Sequence, residues 1–183
     1  FHSFLLCSYD RVIFVEVDEY LVPSPNITYR TLREFLLYDN SLKIRANGFE
    51  LLHAEGEPAL DWNKPFLDQR QWWANSLLYS KPCVNAVTPM WELGFHKNLD
   101  DINQPVLPHL CLVHTHRADL DEVRSRHNRV VNMHWSESDL AAGRGGNSRV
   151  VDESDIVAFC RGIKSDFEKL KAVKVPNCMK GTV

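Results

Sequence analysis

Arg11-Val12-Ile13-Phe14-Val15-Glu16-Val17-Asp18-Glu19 is the stretch on which the reading of the fold turns. Its apolar run from Val12 to Val15 shows no alternation, and that pattern predicts a strand buried on both faces of a parallel or mixed sheet. The run then turns acidic. A buried strand ending in Glu16, Asp18 and Glu19 gathers carboxylates at the C-terminal edge of a sheet, where open α/β folds bind ligands. Alternation along extended backbone puts Glu16 and Asp18 on one face and Val17 and Glu19 on the other, so Glu16 and Asp18 form the natural pair. A hard divalent cation, Mg²⁺ or Mn²⁺, relieves the repulsion between them. Taken alone, the same four residues also read as a solvated strand end before a turn.

Outward from this motif, Pro23 and Pro25 close the element. Asn26 or Thr28 can cap a helix whose Leu32, Phe35 and Leu36 share a face. Leu42 to His53 reads as a strand region interrupted at Gly48, followed by a polar loop with Gly56, Pro58 and Pro65. Gln69 to Leu78, with Trp72 and Trp73, reads as a short helix or an irregular aromatic segment. Val84 to Val87 and Leu110 to Val113 are further strand candidates, the second running into His114-Thr115-His116. Helical spacing then predicts helices over Asp119 to Val131 and Ser154 to Ala172, separated by a glycine-rich loop, Gly143 to Asn147.

The 183 residues suit one domain, and the formal net charge of −3 disfavours nucleic acid and anionic membrane surfaces as partners. Five cysteines, widely spaced and in no CxxC pair, argue against a disulfide framework or a structural zinc site and for a reducing compartment. No apolar run approaches the roughly 20 residues that span a bilayer, so no transmembrane segment is expected. The expected location is cytoplasmic, or peripheral to the inner membrane.

Val12-Ile13-Phe14-Val15-Glu16-Val17-Asp18-Glu19-Tyr20-Leu21-Val22-Pro23 resembles the hhhhDxDEFhxP signature of glycosyltransferases with the GT-A fold, particularly the family-2-like group and the related family 92 group. Ser80-Lys81-Pro82, Trp91-Glu92-Leu93-Gly94-Phe95-His96 and Leu112-Val113-His114-Thr115-His116-Arg117-Ala118-Asp119 follow in the family's order, so the resemblance spans about residues 9 to 130. It implies a single α/β catalytic domain over 1–183, built on a GT-A-like (Rossmann-like) mixed sheet flanked by helices. A core with the metal site would occupy 1–117, and a mainly helical extension 118–183.

The resemblance further implies that Asp18 binds a Mn²⁺ or Mg²⁺ ion bridging the diphosphate of a nucleotide-sugar donor, and that Glu16 contacts the ribose or the metal's water. Glu16 stands where the family has Asp, which lengthens that arm. A histidine completes the metal shell in the family; His96 matches its position, with His114 and His116 as rivals. Those two follow each other on one face of a strand and can point together into a site. Lys81 and Arg70 are the cations available to the diphosphate. Inverting transfer to a glycan or other hydroxyl acceptor needs a carboxylate base, and Glu55, Glu57 and Asp61 lie in the polar loop where one is expected. About fifteen residues precede Glu16, fewer than the roughly 30 of one βαβ unit, so an upstream part or another chain is expected to supply the nucleotide-binding half.

Two other classes stay open. A carboxylate pair at a strand end also suits a Mg²⁺-dependent phosphoryl or phosphodiester hydrolase, although Glu16 occupies the place of a nucleophilic Asp and no HExxH helix accompanies His114 and His116. The other class is a non-catalytic fragment that binds a sugar or a partner protein.

Overall fold

Leu110-Cys111-Leu112-Val113 is the run that folds as the deeply buried strand. It belongs to β6, Val106–His114, whose last five residues are all buried. Successive side chains on a strand point to opposite faces, and both faces of β6 meet apolar partners. Leu110 and Leu112 pack with Phe35, Ile44, Ala46 and Val84, whereas Cys111 and Val113 pack with Val22, Leu51, Leu67 and Trp73.

The computed structural model describes residues 2–24, 31–77, 79–92, 98–99, 106–142, 152–160 and 170–181. Among them β6 pairs antiparallel with β2, Glu19–Pro23, and parallel with β3, Lys43–Leu52. The start of β3 pairs antiparallel with β5, Pro82–Asn85, and its end with β4, Trp72–Asn75. Two short strands extend the edges: β1, Val12–Ile13, on β5, and β7, Val173–Lys174, on β4. The sheet is therefore mixed, with β3–β6 as its parallel pair, and helices flank it. The α/β class expected from the sequence is the class observed.

Helices α1, His2–Leu6, and α2, Leu32–Tyr38, precede β3. Thr31 caps α2, accepting a hydrogen bond from the Glu34 N–H; the alternative caps Asn26 and Thr28 lie outside the described residues. Between β3 and β4 lies α3, Phe66–Gln69. Helix α4, Leu120–Val131, starts at Asp119, whose carboxylate accepts from the Asp121 and Glu122 N–H groups. It packs through Leu120 and Val123 on Ile156 of α6, Glu153–Cys160, with the short α5, Glu137–Ala141, between them. Residues 161–169 are not described, and Leu170 to Ala172 form a turn into β7, so the helix expected over Ser154 to Ala172 stops short of its predicted end. The chain after residue 118 is thus not helical throughout: β7 rejoins the sheet, and Val175 and Met179 enter the core.

Two sequence expectations are corrected here. Arg11 to Val15 is not a strand buried on both faces. Only Val12 and Ile13 are extended in the sheet, at its edge, and Ile13, Val15 and Val17 are exposed. After Phe14 donates to the Cys83 carbonyl the chain turns, with the Glu19 N–H bonded to the Glu16 carbonyl and the Glu16 N–H to Glu19 Oε2. The segment around Trp72 and Trp73 is neither helix nor irregular: it is β4, because Trp73 and Ala74 are buried against β3.

Gly48 sits where β3 passes under Ser76, Tyr79 and Ser80. Its N–H donates to Ser80 Oγ (2.9 Å) and its carbonyl accepts from the Ser76 N–H (2.9 Å). A Cβ here would stand 2.3 Å from the backbone carbon of Tyr79, so the close approach requires glycine. This contact places Tyr79 and Lys81 beside the ends of β2 and β6.

Candidate metal centre

Strand register assembles the site. His114, the last residue of β6, lies opposite Glu19 of β2 and Glu50 of β3, so the three form a row across the sheet on one face. His114 Nδ1 donates to Glu50 Oε2 (2.9 Å), and Glu50 Oε1 accepts from the Arg117 N–H (3.0 Å). Fixing one ring nitrogen on a carboxylate sets the imidazole's orientation and leaves the other facing outward, as behind histidines that bind metals. His114 Nε2 lies 3.5 Å from Asp18 Oδ2, and His116 Nδ1 lies 3.9 Å from the same oxygen. The two rings are nearly parallel (7°), with centroids 5.6 Å apart.

Asp18 is held in place through its backbone: its carbonyl accepts from both the N–H and the hydroxyl of Thr115 (2.9 and 3.0 Å). Tyr79 also stacks on His114, centroid to centroid 3.9 Å. One donor atom each from Asp18, His114 and His116 fall within 4.8 Å of one another, a set able to hold a single cation.

The charges around this cluster are unequal. Burial opposes ionisation of Asp18, but hydrogen bonds from His114 and Arg126 outweigh it and hold the carboxyl well below the usual carboxylate range. Burial alone would lower the His114 pKa, yet hydrogen bonds to Asp18 and Glu50 push it up to about 9. His116 behaves oppositely: burial, then the Arg126 charge, lower it to about 4. At neutral pH the site holds an anionic Asp18, a cationic His114 and a neutral His116. Burial, followed by the neighbouring Glu50, raises the Tyr79 phenol above its ordinary value, so it stays protonated.

The sequence-selected residues divide into those that converge and those that do not. Asp18, His114 and His116 come together. Glu16 does not join them, because the turn at Val17-Asp18 breaks the alternation that would have paired it with Asp18; it lies 3.4 Å from Lys81 Nζ instead. Lys81 is wholly buried and sits 2.7 Å from Glu19 Oε2, with Phe14 beneath it. Arg70 is also wholly enclosed, donating to the Ala118 and Gln69 carbonyls and ion-paired with Asp119 and Glu57. Both cations expected to meet a diphosphate are thus buried and paired with carboxylates.

Among the candidate bases, Glu57 accepts from the Ala54 and Gln71 N–H groups, and Asp61 is bound by Asn63 and Lys64. Glu55 is exposed beside Gly56. His96, like the Gly143 to Asn147 loop, lies outside the described residues.

Four participants escaped the sequence reading: Glu19 as the buried acid, Glu50, Tyr79 and Arg126. Glu50 carried a signal, an acidic residue amid Phe49, Leu51 and Leu52 in a strand, since a lone buried charge needs a partner. Arg126, exposed on α4, reaches back to place Nη1 2.5 Å from Asp18 Oδ2. No family model, curated protein or solved structure matches the chain. Among the described residues no helix is long and apolar enough to cross a membrane.

Proposed function

We propose that this chain carries the cation site of a metal-dependent glycosyltransferase of GT-A type, which transfers a sugar from a nucleotide-diphosphate donor to a hydroxyl acceptor. One observation carries the reading: the motif acid Asp18 meets the imidazoles of His114 and His116, with Glu50 bracing His114 from behind. The donor set fits a divalent cation, with Asp18 ionised, His116 neutral and His114 oriented through its far nitrogen. Two nitrogens and one oxygen suit Mg²⁺ poorly, since it prefers oxygen ligands, so of the two expected ions Mn²⁺ is the better match. When bound, such an ion neutralises charge on the departing diphosphate.

The chain's own residues do the remaining work. Glu50 and Tyr79 fix the His114 ring, and Thr115 fixes the Asp18 backbone. Lys81 neutralises Glu19 and Glu16 so that the acidic turn holds its shape. Of the three candidate bases Glu55 is the most exposed, and in this reading it takes the acceptor's proton, so that direct displacement would invert the anomeric centre.

The decisive measurement is a calorimetric titration with Mn²⁺ and then with UDP, GDP, CDP and dTDP, on the parent protein and on Asp18→Asn. Binding of Mn²⁺ by the parent and its loss in the variant are expected; equal binding in both sinks the site. A second reading is favoured by the donor set itself, because two imidazoles and a carboxylate also form hydrolytic zinc centres. Product analysis separates the two: a phosphoesterase releases phosphate or nucleotide without an acceptor, whereas a transferase yields an acceptor glycoside.

A further inference from the structure

If the chain is to release a diphosphate, some cation besides the metal must face it, and the two that the sequence offers are unavailable. Lys81 and Arg70 have no exposed side-chain surface; Lys81 is locked against the buried Glu19, and Arg70 against the buried Asp119 and the largely enclosed Glu57. Withdrawing either would strand those carboxylates unpaired in the interior, which is strongly destabilising.

Arg126 is placed differently. Its guanidinium lies 2.5 Å from Asp18 Oδ2, the same oxygen that faces His114 Nε2 and His116 Nδ1, yet its side chain is 46% exposed. The backbone that carries it is firm: α4 is capped by Asp119 and seated through Leu120 and Val123. A divalent cation held by Asp18 Oδ2 would compete with the guanidinium for that oxygen, because the two positive charges repel in a partly buried site. The exposure and long stem of the Arg126 head let it give way to the cation at little cost. It then stands at the rim of the centre with its planar fork of donors unengaged, the group best matched to phosphate oxygens.

We propose that Arg126 is a diphosphate-binding residue that guards Asp18 in the metal-free protein and transfers to the phosphate oxygens of the ligand when the cation binds. The inference rests on the reading of Asp18, His114 and His116 as a cation site. It predicts effects of opposite sign from one substitution. In Arg126→Gln, Mn²⁺ alone, followed by the electron paramagnetic resonance signal of the free ion, should bind about five- to tenfold more tightly, because its competitor is gone. UDP and GDP, titrated with Mn²⁺ saturating, should bind at least about tenfold more weakly, for want of a charge-assisted hydrogen bond. Arg126→Lys should fall between, keeping the charge but not the fork.

Arg129→Gln, the same charge change one helical turn away on the exposed surface of α4, should leave both affinities within about twofold. Unchanged nucleotide affinity in Arg126→Gln overturns the proposal. So does equal weakening of Mn²⁺ and nucleotide, which would mean that Arg126 merely holds Asp18 in position. If the parent protein takes up no Mn²⁺, the cation site itself fails and the proposal fails with it; a parent that binds both ligands indistinguishably from Arg126→Gln removes the role of Arg126 alone.

Discussion

His114 and His116 are two residues apart and share one carboxylate, yet they differ by about five pH units in where they titrate. Burial disfavours the charged form of both rings; hydrogen bonds to Asp18 and Glu50 raise His114 past it, whereas at His116 the Arg126 charge adds to burial. Metal binding needs neutral imidazoles and an ionised carboxylate, and Asp18 and His116 already meet that condition at pH 7. Only His114 must give up a proton. Mn²⁺ binding should accordingly release about one proton at pH 7, and its affinity should climb about tenfold per pH unit until it levels near pH 9. Calorimetry in buffers of different ionisation enthalpy counts the proton; a count near two or near zero contradicts the assignment. Glu50→Gln tests the same arrangement from behind. The amide still fills the space, but it removes the anion that orients and enriches His114, and losses of this kind typically run to about 10–100-fold in metal affinity. The variant should also release fewer protons on binding at pH 7, a readout that a merely loosened fold would not produce.

Among the elements, the loop between β4 and β5 governs the site, and Gly48 governs the loop. Gly48→Ala would drive a methyl into the backbone of Tyr79 and Ser80, where neither atom belongs to a flexible side chain. Overpacking of this kind costs about 1–3 kcal/mol, and β3 or the loop must shift to absorb it. Urea unfolding should show that loss, and displacement of Tyr79 from His114 should weaken Mn²⁺ binding as well; a stable variant with parental affinity would show that the loop does not set the site. The sequence marked Gly48 only as an interruption, because its requirement comes from a segment 28 to 32 residues away. The same limit explains β1 and β6. Val12 to Val15 and Leu110 to Val113 are alike as apolar runs, and periodicity cannot tell which lies inside the sheet and which at its edge. Position was decided by partners: β6 has β2 and β3 on its flanks, and among the described residues β1 pairs with β5 alone. His114 and His116 do come together, but β6 ends at His114 and His116 stands in the turn after it, so the strand alternation that suggested the pair is not what joins them; the pairing of Glu16 with Asp18 failed because it too assumed a strand, one that had already ended at Ile13. Glu50 needed the β3–β6 register, which no local pattern contains.

Over the whole molecule, Arg70 is the fastener. Its guanidinium binds the Ala118 carbonyl and Asp119 at the entrance to α4, and Glu57 in the loop after β3, while Lys180 from the C-terminal segment bonds the Arg70 and Leu67 carbonyls. One side chain thus joins the loop, the start of α4 and, through its backbone, the returning tail. Arg70→Met keeps much of the volume but leaves Asp119 and Glu57 facing each other across a buried space without their cation. Removing one partner from a buried charge network costs about 3–5 kcal/mol, a large share of the 5–15 kcal/mol that a domain commonly possesses. Adding Asp119→Asn should restore part of that loss, since it removes one of the stranded charges; the double variant should be less destabilised than the sum of the singles. The position of Arg70 also separates a fastener from a ligand-binding cation. A fastener lowers the urea midpoint while the fraction still folded binds Mn²⁺ and nucleotide as the parent does, because the donors Asp18, His114 and His116 stand at the corner of β2 and β6. A diphosphate ligand would do the reverse, with stability preserved and nucleotide affinity lost. Measuring both quantities on Arg70→Met decides between them, and complete enclosure of its guanidinium predicts the first outcome.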